Sequence, residues 1–290
     1  MKNIFLIALT VCSMMVSFAL ACNSEDGKFG FLPKNDLKIS QFSLFTSDIT
    51  QEKYLQIINN IFNIYTPLVA EKGALLVLYP HWEDDTVNAN ANIWGKRWVI
   101  NMYGGLARHP AVTEDALAMV MCHELGHFLG GAPKKIHRDK PFWPSVEGQA
   151  DHFASMKCLR RVLEHEDNIR IVSQMNVDAR VTQQCQLVYN NANEVALCQR
   201  IAMAAQSAAN LSSAVRGLPL VSFGTTDTST VAKTYEDHPL PQCRLDTYFS
   251  GILCNKSYDQ DTDDKDPNVG FCTLSEGYKL GMRPLCWYKP

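Results

Sequence analysis

The sequence H-E-L-G-H at residues 123–127 constrains this chain more than any other feature. Residues four apart lie on one face of an α-helix, one turn from each other, so His123 and His127 can bind the same metal ion. Glu124 lies beside them, where a carboxylate can accept a proton from a metal-bound water. This spacing therefore predicts a helix that carries a metal site.

The flanking residues predict the limits of that helix. Thr113 is a favoured N-cap residue, and Glu114 and Asp115 suit the positive end of the helix dipole. Gly130 and Gly131 then end the segment. By chance, roughly one chain in a hundred of this length carries H-E-x-x-H on a core helix, so a metal site needs support elsewhere in the sequence.

The N-terminus predicts export. The apolar run at residues 4–20 ends in Ala-Leu-Ala-Cys, which is typical of a secretory signal over residues 1–21. These residues fit cleavage by an ordinary signal peptidase. They also resemble a bacterial lipobox with a lipidated Cys22, although Ala19 stands where leucine is usual. An uncleaved membrane anchor is the remaining alternative.

Cysteine parity agrees with export. Of the ten cysteines, Cys12 lies in the signal and Cys22 at the lipobox, which leaves an even set of eight and favours disulfides in an oxidising compartment. Cys122 is the doubtful member, since it precedes His123 and can be a buried free thiol. The eight are Cys122, Cys158, Cys185, Cys198, Cys243, Cys254, Cys272 and Cys286.

Charge and hydropathy limit the kinds of partner that this chain is expected to bind. The formal net charge is -3 without any basic run, which gives no indication of nucleic-acid binding. After the signal, no segment of the sequence is long and apolar enough to span a bilayer. We therefore expect a periplasmic protein or an outer-membrane lipoprotein that touches the membrane only through its lipid anchor. Secretion is the alternative.

Hydrophobic patterns predict the elements before the metal helix. We expect a short strand at 37–45 and a helix at 50–70 with isoleucines at helical spacing. The apolar run at 73–82 predicts a central buried strand, and residues 87–106 predict a hairpin with its turn at Gly95. One arm of the hairpin is a candidate edge for binding an extended substrate, although an ordinary hairpin fits the pattern equally well.

A second helix is expected to follow a loop at 133–145, beginning at 145 or 146 and continuing to 165. Glu147 and Asp151 share one of its faces. Two carboxylates on a core-facing stripe repel each other unless a cation lies close to them. A solvated face is the alternative interpretation.

The second half of the chain is expected to be largely helical. Residues 168–217 predict helices with a break at 189–193, and Cys185 and Cys198 flank that break so that they can join a helical hairpin. The Ser/Thr-rich stretch at 222–237 predicts a mobile loop, and its composition suggests a lid.

The C-terminal tail is rich in cysteine and aromatic residues. Residues 246–290 predict a small disulfide-joined appendage. Residues 259–270 space their aspartates somewhat like a calcium loop but lack its central glycine and final glutamate. An exposed acidic loop is therefore favoured over a calcium site.

Three motifs together resemble the gluzincin metallopeptidases that include the CAAX prenyl proteases and bacterial membrane-stress and periplasmic metallopeptidases. They are H-E-L-G-H at 123–127, E-G-Q-A-D at 147–151 and H-P-L-P-Q-C-R at 238–244, in the family's order. The resemblance covers about residues 73–245. It implies a zincin-like α+β domain over 22–245, with a small mixed sheet, an edge-strand hairpin, the zinc helix and a second ligand-bearing helix.

The resemblance also implies roles for single residues. His123, His127 and Glu147 would hold one Zn²⁺ per chain and leave a fourth position for water. Asp151 would orient a ligand histidine, and Glu124 would be the general base. By the same analogy His238 and Arg244 would lie by the cleft as catalytic residues, stabilising the oxyanion or organising that wall.

Together these expectations predict that the protein is a zinc endopeptidase of the cell envelope that hydrolyses protein or peptide bonds. The short gap from His127 to Glu147 and the missing membrane spans argue against a prenylated or membrane-embedded substrate. The alternative is a latent or non-catalytic zinc-binding lipoprotein that acts through a partner. A secreted protease aimed at other cells or cell-wall peptides would use the same chemistry. Glu124 favours an enzyme, because a structural zinc site needs no base.

Overall fold

The computed structural model describes residues 30–290 and has a mixed α+β architecture. The predicted signal segment and Cys22 lie outside the described residues. The strands are β1 Leu75–His81, β2 Ala89–Trp94, β3 Arg97–Tyr103, β4 Lys134–His137 and β5 Lys140–Ser145. The helices are α1 Gln51–Glu71, α2 Gly104–Arg108, α3 Glu114–Leu129, α4 Glu147–Phe153, α5 Leu159–Leu163, α6 Asn168–Val172, α7 Ala179–Val188, α8 Ala192–Arg216 and α9 Pro241–Ile252, with a π-helical turn at Ala154–Cys158 and a 3₁₀ turn at Leu274–Glu276.

The main sheet has the strand order β1-β3-β2. β2 and β3 form the expected antiparallel hairpin, and Gly95 takes φ 63° at its turn. The prediction that residues 73–82 form the central strand is wrong. β1 is an edge strand, parallel to β3, and Leu75 is 54% exposed. An apolar run indicates a strand but does not say how many neighbours it has.

The predicted strand at 37–45 is also wrong. Its strand-like pairing is an isolated bridge from Lys38 to Thr86, which lies before β2, and apolar side chains that suggested a strand, among them Phe42 and Leu44, are exposed. The expected helix at 50–70 is confirmed as α1. Thr50 caps it by accepting a hydrogen bond from the backbone of Lys53 at 3.2 Å.

α3 lies inside the molecule and contacts α1, α4, α8 and the hairpin strands. Its N-cap is Thr113, whose hydroxyl accepts a hydrogen bond from the Ala116 amide at 3.2 Å, as the sequence predicted. Gly126 permits a close approach of α3 to α4, since a Cβ there would lie 2.8 Å from the Ala150 backbone. This approach brings the two expected ligand-bearing helices together.

The loop expected before α4 is wrong, and the doubt about Cys122 is resolved in favour of a disulfide. Residues 133–145 are a β-hairpin, β4 and β5, because their pairing partners lie within the segment itself. Cys122 is not a free thiol but forms a disulfide with Cys158 at a Cα–Cα distance of 5.5 Å. The second helix is confirmed, and it begins at Glu147, directly after the expected start at 145 or 146. It passes through the π-helical turn, and this disulfide joins the end of that turn to α3.

The helical second half agrees with the sequence. A disulfide from Cys185 to Cys198 joins α7 to α8 across a break at residues 189–191. The stretch 222–237 is irregular, and it is tied to the tail by the Val231 amide, which donates to Leu285 O at 3.0 Å.

The tail packs closely on the rest of the chain. The disulfide Cys243–Cys286 joins it to α9, the disulfide Cys254–Cys272 closes a loop directly after α9, and Trp287 is buried against Gly148 of α4. The boundary expected at residue 245 falls inside α9. In the acidic loop, aspartates pair with basic residues of neighbouring elements: Asp259 with Arg161, Asp261 with Lys72 and Asp264 with Lys134.

Four disulfides within residues 30–290 agree with an oxidising, exported environment. Among the helices of this part of the chain, none has the length and apolar character needed to cross a membrane.

Candidate metal centre

Three side chains from α3 and α4 meet in the interior. Glu147 Oε2 lies 3.2 Å from His123 Nε2 and 3.7 Å from His127 Nε2. All three residues are fully buried, and together they form a group that could hold a metal ion. Within residues 30–290 these three atoms have no hydrogen-bond partner of adequate geometry. Buried polar atoms are nearly always satisfied, so this group fits a bound cation.

Hydrogen bonds on the opposite side of each imidazole orient both rings. His127 Nδ1 donates to the Ser145 carbonyl at 2.9 Å, and His123 Nδ1 pairs with Asp151 Oδ1 at 2.6 Å. An imidazole that donates through Nδ1 presents the Nε2 lone pair. Both rings therefore direct a potential ligand atom towards Glu147.

Lys135, a residue that the sequence did not single out, contacts this group. Its ammonium lies 2.6 Å from Glu147 Oε1, so it binds the carboxylate oxygen that does not face the histidines. Burial alone would raise the pKa of Glu147, but His238, Lys135 and His127 hold that pKa well below 4.5. Glu147 is consequently a carboxylate, as a metal ligand must be.

The two histidines differ electrostatically. Burial lowers the pKa of His127 to about 3, so this imidazole is neutral. Burial would also lower the pKa of His123, but Asp151 and Glu147 raise it to about 9 in the metal-free protein. A cation at this site would compete with that proton for His123 Nε2.

Glu124 is buried next to His123 on α3. Both of its carboxylate oxygens lack a hydrogen-bond partner within the described part of the chain. Burial raises the pKa of Glu124 to about 8, with His123 opposing the shift. A carboxylate whose pKa lies near neutrality can both accept and return a proton at physiological pH.

Asp151 is the centre of a second buried network. Arg244 donates to both of its carboxylate oxygens, with Nε at 2.8 Å and Nη2 at 2.7 Å, and Tyr248 donates to it as well. Burial would raise the pKa of Asp151, but Arg244 and His123 lower it to about 2. Asp151 thus stays charged and holds the His123 ring in position.

Arg244 binds Asp151, and the role expected for it by the cleft stays a prediction. It is fully buried, and its remaining hydrogen bonds go to the Phe31 carbonyl at 2.7 Å and to Tyr248. Its guanidinium is therefore directed to Asp151 and not to the atoms that could bind a metal. This geometry makes Arg244 a positioning residue that acts on His123 through Asp151.

His238 lies at the edge of the site. Its Nε2 atom is 3.6 Å from Glu147 Oε2 and donates to the Gly30 carbonyl at 2.6 Å. Burial lowers the pKa of His238, although Glu147 opposes this, so the ring is neutral at pH 7. His238 therefore lies beside a potential ligand, and the catalytic role implied by the resemblance stays a prediction. Its contact with Gly30 had no signal in the sequence.

A cavity of about 400 Å³ lies on the outer side of Lys135, between the β4–β5 hairpin and residues 231–237. Glu236 anchors the latter segment, since its carbonyl accepts from the Glu147 amide at 3.4 Å and its carboxylate from the Ile136 amide at 2.9 Å. The lid expected at 222–237 stays a prediction, and it would have to break these bonds to move.

No protein-family model, curated protein or solved structure matches the chain. Function must therefore be argued from the site itself.

Proposed function

We propose that this protein is a zinc-dependent endopeptidase. The observation that carries the proposal is the buried group of His123, His127 and Glu147, whose facing atoms lack partners, with the carboxylate of Glu124 beside it. Two imidazoles and one carboxylate are the donor set of zinc hydrolases, which keep one position open for water. The resemblance of three ordered motifs to the gluzincins supports the same proposal.

The chain's own residues supply the positioning and the proton transfer. His123, His127 and Glu147 would hold the ion, with Asp151 and Ser145 O orienting the two rings. A bound zinc ion would supply an acidified water and a positive charge for the scissile carbonyl. The charge of the ion would lower the pKa of Glu124 from its metal-free value of about 8, and the carboxylate would then take the proton of that water and pass it to the leaving amine.

The four disulfides support an exported enzyme that meets its protein or peptide substrates in the cell envelope. Lipidation of Cys22 would attach it to a membrane, with the periplasm or outer membrane as its location. Secretion is the alternative, and localisation of a Cys22→Ala variant separates the two.

A latent or non-catalytic zinc protein is the second candidate. It is favoured by one observation: His123, Glu124, His127 and Glu147 are all fully buried, so a substrate cannot reach them in this conformation. Glu124 argues for the enzyme, because a structural site does not need a buried carboxylate without partners.

The test is cleavage of a mixed peptide library by residues 22–290, with zinc quantified in the same samples. The enzyme predicts one zinc per chain and cleavage that stops on Glu124→Gln substitution. Zinc in both proteins with cleavage in neither would favour the second candidate.

A further inference from the structure

The burial of the candidate metal centre is caused in part by the chain's own residues 30–32. Gly30 forms an antiparallel bridge with Asn90 of β2, and the Phe31 amide donates to Ala89 O at 3.0 Å. β2 is an edge strand of the sheet. The backbone pairing on its outer edge, as far as residues 30–290 show it, comes from this segment. An edge strand whose outer side is free of other strands can bind an extended peptide by main-chain hydrogen bonds.

The segment also reaches the site. The Gly30 carbonyl accepts the hydrogen bond of His238, whose Nε2 lies 3.6 Å from Glu147 Oε2. The Phe31 ring packs edge-on against the ring of His123 with centroids 5.2 Å apart. The Arg244 guanidinium lies over the Phe31 ring, 4.3 Å from the ring centroid, and donates a hydrogen bond to the Phe31 carbonyl. Residues 30–32 thus touch β2, one candidate ligand and both residues of the H-P…R motif.

Side-chain fit identifies the kind of segment that this position accepts. A Cβ on Gly30 would lie 2.9 Å from Ala89 O, so a residue without a side chain fits best there. Phe31 and Leu32 are fully buried, and the Asn88 side chain binds both the amide and the carbonyl of Leu32. The position accepts an extended chain in which a small residue is followed by an aromatic one.

We propose that residues 30–32 are an internal ligand of the substrate cleft. They occupy the place beside β2 that an extended peptide must take, and peptides with a small residue before an aromatic residue compete with them. This inference rests on the proposed endopeptidase function and adds its regulation and substrate class. The protein is closed until the segment leaves, which lowers the apparent affinity for a peptide by the fraction of open molecules.

The fold allows residues 30–32 to leave β2. The segment is held to β2 through few backbone contacts, and Pro33, which follows it, has no amide hydrogen to extend the pairing. Opening must overcome the burial of the Phe31 and Leu32 side chains, but it breaks few backbone hydrogen bonds to β2. A permanent part of the core would instead exchange its amide hydrogens only when the whole protein unfolds.

Amide hydrogen exchange of the full chain tests this difference directly. Glu124→Gln protein is used so that added peptide is not cut, and the probe is the peptide KFGFLPK, which has the sequence of residues 28–34. We expect the Phe31 and Leu32 amides to exchange at least a hundredfold faster than the amides of β3, and faster still when the peptide is added. Exchange at the rate of β3 overturns the inference. Fast exchange that the peptide does not change also overturns it, because the opening would then be fraying without a vacant cleft.

A matched pair of variants gives a second readout in the same background. Phe31→Ala weakens the hold of the segment, whereas Phe42→Ala removes an aromatic ring that is 91% exposed. Fluorescence anisotropy with labelled KFGFLPK should show binding at least tenfold tighter to Phe31→Ala than to the parent protein, with Phe42→Ala unchanged. Equal affinity in a folded Phe31→Ala protein contradicts the inference. If Phe31→Ala does not fold, the exchange measurement decides alone.

Neither readout requires hydrolysis. A chain that opens and binds the peptide, but whose parent with Glu124 never cuts any peptide, contradicts the proposed function and leaves the internal ligand standing. A chain that cuts peptides while the Phe31 amide stays as protected as β3 contradicts only the internal ligand.

Discussion

Replacement of Lys135 by methionine tests the electrostatics of the candidate centre. Lys135 Nζ lies 2.6 Å from Glu147 Oε1, and both residues are buried. Methionine keeps a flexible apolar chain and removes the charge. Loss of one partner of a buried ion pair leaves the other charge uncompensated and costs about 3–5 kcal/mol.

The folded variant can avoid the uncompensated charge by protonating Glu147. The destabilisation therefore cannot exceed the free energy of that protonation, which depends on pH. A free glutamate has a pKa of 4.5, so at pH 7 protonation requires 2.5 pH units, or about 3.4 kcal/mol at 1.36 kcal/mol per unit. At pH 5 the same step requires about 0.7 kcal/mol. Loss of the Lys135 charge raises the folded-state pKa of Glu147, because one of the charges that lower it is removed. The destabilisation is therefore largest above pH 4.5 and decreases as the pH falls towards that value.

Urea unfolding of metal-free protein measures the effect at pH 7 and pH 5. Lys134→Met is the matched control, because Lys134 is adjacent in sequence but pairs at 2.8 Å with Asp264, whose side chain is 72% exposed and stays hydrated when the lysine is lost. Lys135→Met should lose about 3 kcal/mol at pH 7 and less than about 1 kcal/mol at pH 5. Zinc should restore more stability to Lys135→Met than to the control, since a cation beside Glu147 replaces the lost charge. Equal losses for the two variants at pH 7 would refute this reasoning.

Two further predictions concern stability. Replacing Cys122 and Cys158 together by alanine should lower the free energy of unfolding by about 4 kcal/mol for a loop of 36 residues, measured in urea; a change below about 1 kcal/mol would contradict the stabilising role of this disulfide. Burial, with Arg283 contributing, lowers the folded-state pKa of His152 to about 3 from 6.5, so the unfolded chain binds more protons between these values. Stability should therefore fall as the pH decreases from 6.5 towards 3, by up to about 1.4 kcal/mol per unit from this residue, and His152→Gln should have a shallower slope over that range; parallel slopes would contradict the assignment.

Local patterns predicted the parts of the site that lie on single helices. Spacing alone brought His123 and His127 to one face of α3, and the offset of four brought Glu147 and Asp151 to one face of the next helix. The Cys185–Cys198 link was also predictable, because both residues flank one helix break. These features depend on positions that are close in the sequence.

Features that depend on distant pairing were missed. Lys135 lies in a segment that was predicted as a loop and meets Glu147 only because β4 and β5 fold back on α4. The contact of Gly30 with His238 joins residues 208 positions apart. β1 was expected at the centre of the sheet, since an apolar run does not reveal which strand will occupy each side.

Two further contacts also depend on residues that are distant in the sequence. A motif offset placed Arg244 near His238, but its side chain points to Asp151 because α9 packs against α4. Cys122 was doubtful because its partner lies 36 residues away on another helix.

Turnover by wild-type protein and by Glu124→Gln at equal zinc content tests the central claim most directly. Glu71→Gln, an exposed glutamate at the end of α1, serves as the control for the substitution itself. General-base help is worth about 10²–10⁴-fold, so we expect Glu124→Gln to retain zinc and lose at least about a hundredfold in turnover, with Glu71→Gln unchanged. A Glu124→Gln protein that binds zinc and cuts peptides at the wild-type rate would contradict the account.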